Sequence, residues 1–241
     1  MAARRASGLT AAILLPLMVL LGIAGAGPAW AGSLSVMPVR VDVAAGRRFC
    51  SLTLGNDTDR PMTVQVRAFA WVRDETGADI IEPDNRFIVN PSITTIAPGT
   101  TRLMRCSLPA GDPAMQAEEQ WRLIVDQLPD PNFVAAPGTV QTLLRISLPV
   151  FRAGDKAAPL LSASIGKQSL RLANTGTRHI KALAITLRGP DGDAVSAERA
   201  FYLLAGGAQV VPFERLPRAG VSTVHVRAEE GEFDVALVPV K

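Results

Sequence analysis

Thr139-Val-Gln-Thr-Leu-Leu-Arg-Ile-Ser-Leu-Pro-Val-Phe151 is a long alternating run with a basic residue set into it. Val140, Thr142, Leu144, Ile146, Leu148 and Val150 fall on one face of an extended strand, and Leu143, Arg145, Ser147, Pro149 and Phe151 on the other. Both faces are partly apolar. A central core strand accounts for such a pattern, but Pro149 removes a ladder donor, which favours a sheet edge. An exposed apolar edge is an aggregation hazard unless something covers it, so the sharper reading is a strand offered to another protein's chain.

On either side of this run the chain is punctuated every ten residues or so by Gly, Pro, Asn and Asp, with short Val, Leu, Ile and Thr runs between. That rhythm is all-β. It predicts strands over residues 34–43, 49–54, 62–71, 86–89, 101–108, 121–127 and 140–151, enough for one sandwich domain. Turn chemistry separates them: Asn56 to Pro61, Asp74 to Gly77, and Ala97-Pro98-Gly99. Asp112 to Glu119 is the one stretch able to start a helical turn. The small and polar stretch Arg152 to Pro159 marks a domain boundary, after which strands are predicted at 160–165, 169–173, 180–187, 200–204, 209–213, 222–228 and 232–238. Cys50 to Asn56 and Leu170 to Asn174 both end an alternating strand in Asn, a short repeat that relates the two halves.

The first residues read as an export address: Arg4 and Arg5 form a basic region, Leu9 to Leu21 an apolar one, and Ala29-Trp30-Ala31 a cleavage site. The expected organisation is therefore a signal peptide over 1–31, a first domain over 32–153 and a second over 154–241. Removing Arg4 and Arg5 from the formal +3 leaves +1, and no second long uncharged apolar segment follows, so neither nucleic acid nor a membrane span is expected for the mature protein. Cys50 and Cys106 each share parity with core-type leucines, and in an oxidising compartment they are either a cross-strand disulfide or two buried thiols. No metal-ligand spacing, cofactor motif or nucleophile setting occurs, and His179 and His225 read as polar surface or turn residues, so no enzyme, metal or cofactor is expected.

Several stretches, in order, resemble the periplasmic chaperones of chaperone-usher pilus assembly, in particular the branch that accompanies spore-coat-U-like pilins. They are Leu34-Ser-Val-Met-Pro-Val-Arg40, Leu52-Thr-Leu-Gly-Asn56, Phe69-Ala-Trp71, Phe87-Ile-Val-Asn-Pro91, Ile96-Ala-Pro-Gly99, Leu103-Met-Arg105 and Glu118-Glu-Gln-Trp121 with Leu128-Pro129. The likeness continues through the run first quoted and, more loosely, Tyr202 to Gly206. It implies two immunoglobulin-like β-sandwich domains in a boomerang, no cofactor, and a role in capping pilin subunits and passing them to an outer-membrane usher. The runner-up is an exported pilin or coat subunit of the same machinery, which would carry one incomplete domain.

By position, the resemblance makes Arg40 the cleft arginine that grips a pilin's C-terminal carboxylate. It aligns Ser147 with the lysine of better-known members, leaving Arg145, two residues earlier on the same face, as the second anchor. The donated side chains are expected to be Val140, Thr142 and Leu144, extended by Val134 and Ala136 if the preceding segment orders. Ile146, Leu148 and Val150 are expected to stay in the protein's own core. The donor edge also offers a route to self-association.

Overall fold

The computed structural model describes residues 34–74, 76–111, 116–131 and 142–239. Up to residue 152 the strands are β1 (Leu34–Met37), β2 (Val41–Val43), β3 (Phe49–Asn56), β4 (Met62–Arg73), β5 (Asp79–Pro83), β6 (Ile88–Asn90), β7 (Ile93–Ile96), β8 (Thr100–Ser107), β9 (Glu119–Gln127) and β10 (Arg145–Arg152). One sheet runs β1-β3-β8-β6; the facing one runs β2-β10-β9-β4-β5, with β7 also paired to β4. Alternation explains the core between them. Leu52 and Leu54 of β3, Met104 and Cys106 of β8, Val64 and Val66 of β4, Leu123 and Val125 of β9, and Leu148 and Val150 of β10 all turn inward and are buried.

The rest of the chain adds β11 (Leu161–Ile165), β12 (Ser169–Asn174), β13 (Ile180–Arg188), β14 (Ala194–Leu203), β15 (Ala208–Pro212), β16 (Thr223–Ala228) and β17 (Gly231–Leu237). These follow the order β14-β13-β16-β17-β11-β12-β15, and a short parallel pairing of β11 with β17 joins the two layers. Leu170, Leu172, Ile180, Ile185, Leu187, Val224 and Val226 fill a second, separate core. The all-β expectation of two immunoglobulin-like sandwiches is met. No helix among the described residues is long and apolar enough to cross a membrane.

Three departures from the sequence reading have physical reasons. The single strand expected over 34–43 is two, because Pro38 has no N–H to continue the ladder; β1 pairs with β3 in one sheet and β2 with β10 in the other. Strands β5 and β7 lie outside the predicted set: every residue of β5 is exposed, and β7 is only four residues long, with a burial that alternates while its sequence, Ile-Thr-Thr-Ile, does not. Of the stretch proposed for a helical turn, residues 112–115 lie outside the described residues, and 116–119 contain no helix. The turns at Gly77 and Gly99 do use left-handed backbone, with φ of 91° and 62°.

Candidate functional site

Strand β10 has two unlike edges. Along β9 it is paired from Arg145 to Arg152, and the contact continues one residue further, where Gln127 N–H donates to the Leu144 carbonyl at 2.9 Å. On its other side β2 covers only Val150, Phe151 and Arg152, so from Arg145 to Pro149 that edge has no strand partner among the described residues. The inward face then leaves the core step by step. Val150 and Leu148 are buried, at 0% and 3% exposure, whereas Ile146 and Leu144 are half-buried against the rim of the core cluster and Thr142 is exposed. The strand expected from Val140 thus begins at Arg145 among the described residues, and Val134, Ala136 and Val140 lie outside them.

The opposite face of β10 carries Arg145, which is two-thirds exposed and donates to Asp126 on β9. Asp126 also accepts from Arg67 Nη2 at 2.7 Å. Burial works to raise its pKa, but the two guanidiniums outweigh it and hold the carboxyl below its ordinary range.

Arg40 lies between β1 and β2, level with the closed end of β10. Its Nε donates to Asp42 Oδ2 at 2.8 Å and its Nη1 to Glu229 Oε2 at 2.6 Å. Glu229 follows β16, 189 residues away, and its other oxygen accepts from Lys181 Nζ of β13 at 2.6 Å. Burial opposes the charge on Arg40, yet the hydrogen bonds to Asp42 and Glu229 raise its pKa above the ordinary arginine value. The Lys181 ammonium, with Arg40 behind it, holds the Glu229 carboxyl low, and Glu229 in turn raises Lys181. Arg145 does not join this cluster: it precedes by five residues, or roughly 16 Å at strand rise, the Val150 that pairs with Val41 next to Arg40.

Beside the cluster the two sandwiches are in contact through buried rings. His179 stacks on Phe151 with centroids 3.6 Å apart and planes 12° from parallel, and Tyr202 packs against both. His179 was read as a polar surface or turn residue; it is 4% exposed, because its Nδ1 meets Glu118 Oε1 at 2.7 Å and the Phe151 ring covers its face. Trp71 is fully buried with Phe151 and Leu204 between the sandwiches, with the Arg122 guanidinium 3.7 Å from its ring centroid. Trp121 lies in the first core, where its Nε1 donates to Asp84 at 3.1 Å. His225 is half-exposed beside Asp234.

Cys50 and Cys106 are directly opposed on β3 and β8, with Cα atoms 4.9 Å apart, and are joined as a disulfide. Among the described residues no group of three or more His, Cys, Asp or Glu is placed to hold a metal ion. Sequence reasoning missed Glu229, Lys181 and Glu118. Glu229 reads as the polar tip of a tight turn before Gly231, and nothing local marks a contact that spans most of the chain.

Comparison with known proteins gives this geometry a setting. Residues 33–156 match the family described as pili and flagellar-assembly chaperone, PapD N-terminal domain. Among solved structures, the chain is similar to one from the CsuC–CsuE chaperone–tip adhesion subunit pre-assembly complex of archaic chaperone-usher Csu pili of Acinetobacter baumannii. That match has 18% identity and a TM-score of 0.67 over 87% of this chain and 100% of that one. It is also similar to the E. coli chaperone DraB, at 19% identity and TM-score 0.60 over 86% and 97% of the two chains. A third is the Salmonella enterica SafA pilin complex with the SafB chaperone, at 16% and 0.61 over 85% and 96%. A search of curated protein sequences found no match. At these identities the solved structures establish the fold, while the family model covers half of the chain. The chain therefore belongs to the pili and flagellar-assembly chaperones, which assemble other proteins and are not enzymes.

Proposed function

We propose that the protein is a periplasmic chaperone that captures pilin subunits by lending them the open edge of β10 and passes them to an outer-membrane usher. The supporting observation is the combination on β10 of an unpaired edge and an apolar face that emerges gradually from its own core. A subunit whose sheet lacks a strand exposes apolar surface and unpaired backbone, and an extended partner strand satisfies both. Each inserted Val or Leu removes about 1.5 to 3 kcal/mol of apolar exposure before ordering costs. In this reading Val140, Thr142 and Leu144 enter the subunit, while Leu148 and Val150 hold the strand to its own sandwich.

Arg40 receives the subunit's C-terminal carboxylate, with Arg145 able to serve as a second cation only by giving up Asp126. The two sandwiches divide at residues 153 and 154, residues 1–31 direct export, and an oxidising periplasm suits the Cys50–Cys106 bond. No ATP enters the cycle.

The test is coexpression with a pilin encoded beside this protein, comparing the parent with Leu144→Asp and Arg40→Ala. Both variants are expected to lower the soluble pilin level; losing a charge-assisted anchor weakens capture by roughly 10- to 100-fold. If both protect the pilin as the parent does, the donor edge and the anchor are misassigned.

A further inference from the structure

The Glu229 carboxylate is held as a bound ligand would be. Each oxygen is taken by a different cation, Oε2 by Arg40 and Oε1 by Lys181, both at 2.6 Å, and those cations come from different sandwiches. Two cations spaced to receive the two oxygens of one carboxylate form a carboxylate receptor, and here the protein's own side chain fills it. Arg40 and Glu229 line a cavity of about 330 Å³ together with Asp42, Glu118, Arg178, His179 and Glu230. His179 Nε2 is buried there without a hydrogen-bond partner: Glu230 Oε1, at 3.7 Å, is out of range, and the ring's other nitrogen is committed to Glu118.

We infer that Lys181 completes, with Arg40, the site for the subunit's C-terminal carboxylate, and that Glu229 is an internal stand-in which the incoming terminus displaces. This rests on the reading of Arg40 as the anchor. Charge requires the exchange. Arg40, Lys181 and Arg178 stand against Asp42, Glu229, Glu118 and Glu230, so adding a carboxylate without removing one would deepen a surplus of negative charge in a partly dehydrated cleft. The fold makes the exchange feasible, because Glu229 sits on the short turn between β16 and β17 with a side chain 35% accessible, and can rotate into water where a carboxylate is well solvated. Arg145 lacks this freedom. Its partner Asp126 is 11% accessible and cannot turn into water as Glu229 can, so releasing Arg145 would leave a buried carboxylate with Arg67 alone to hold it.

The experiment titrates the full mature chain with the peptide acetyl-Thr-Val-Thr-Val as free acid and as amide, following the Arg40 Nε–H resonance and the affinity. The free acid is expected to shift that resonance and the amide to leave it unchanged. Glu229→Gln is expected to bind the acid roughly tenfold more tightly than the parent, since the internal competitor is gone, and Lys181→Met several-fold more weakly. The inference is overturned if Glu229→Gln gains nothing, if acid and amide bind alike, or if neither perturbs Arg40 in any variant. A purely structural latch predicts that Glu229→Gln loosens the contact between the sandwiches with no gain for the acid. If Arg40→Ala loses pilin in cells while Glu229→Gln gains nothing here, the anchor stands and the stand-in falls. If Arg40→Ala keeps pilin, the anchor itself falls.

Discussion

The two sandwiches share one device and differ in one edge. Asn56 and Asn174 each end a strand, are completely buried, and tie a turn to a distant strand. Asn56 Nδ2 donates to the carbonyls of Arg60 and Ile96, while its Oδ1 accepts from Thr58. Asn174 Nδ2 donates to Arg178 and Leu203, while its Oδ1 accepts from Gly176 and Leu160. The parting lies in β10, which among the described residues has one edge without a strand partner over Arg145–Pro149, whereas a parallel pairing of β11 with β17 joins the layers of the second sandwich. Both sandwiches have edge strands, β14 and β15 in the second, but only β10 combines a free edge among the described residues with an apolar face leaving its own core, and on the proposed reading that makes the first sandwich the one that offers a surface to a partner. The disulfide is likewise confined to the first.

If the bond secures only the sandwich with the open edge, breaking it should produce the largest and most one-sided loss of stability. Cys50 and Cys106 are 56 residues apart, and closing a loop of that size in the unfolded chain corresponds to about 4 kcal/mol. Cys50→Ser with Cys106→Ser should therefore lower the unfolding midpoint in denaturant, with hydrogen exchange rising across β1 to β10 and little change in β12 to β16. Equal loss of protection in both sandwiches would show that they unfold as one unit and would dissolve the contrast.

Replacing the paired asparagines tests the shared half of the comparison at a smaller scale. Asn56→Ala and Asn174→Ala each orphan buried backbone carbonyls, at a cost of about 2 to 3 kcal/mol. The expected outcome is two similar losses in urea titrations, each with exchange raised mainly in its own sandwich. If one substitution is silent, the two asparagines are alike in geometry but not in duty.

How legible these features were follows from the range of the interactions. The sandwiches, the turns at Gly77 and Gly99, and the common Asn were visible because alternation and turn chemistry are local. The break at Pro38 was also visible in the residue, but it was read through because Val36, Val41 and Val43 keep an apolar rhythm on both sides. β5 hid because its exposed strand has no apolar face to alternate. At the candidate site, Arg40 is named through the family likeness, whereas Lys181, Glu118 and Glu229 are brought to it by contacts 48, 61 and 189 residues apart in sequence. A strand pattern carries no information about which turn of a second sandwich will face it. The same limit explains His179, whose burial depends on a ring from β10.

The sandwiches should also differ in acid, with the smallest effect of the three. The buried carboxylates among the described residues, Asp84, Glu118 and Asp126, all precede residue 153. Hydrogen bonds from Arg86 above all hold the Asp84 carboxyl below its ordinary value, aided by the Trp121 N–H and opposed by burial. A carboxyl with a lower pKa in the folded than in the unfolded chain binds fewer protons when folded. Its contribution is thus fully present above the unfolded value of about 4 and is lost as pH falls through the folded one. Asp84→Asn should cost stability at neutral pH, and the gap from the parent should narrow as pH drops below about 4, because the parent then protonates the same group. Thermal unfolding of both proteins across that range measures the gap, with Trp121 fluorescence reporting on the first core. A gap that stays constant with pH would mean that Asp84 acts through its hydrogen-bond geometry alone, and the acid sensitivity of the first sandwich would then have to come from Asp126 and the Arg67 and Arg145 guanidiniums that hold it.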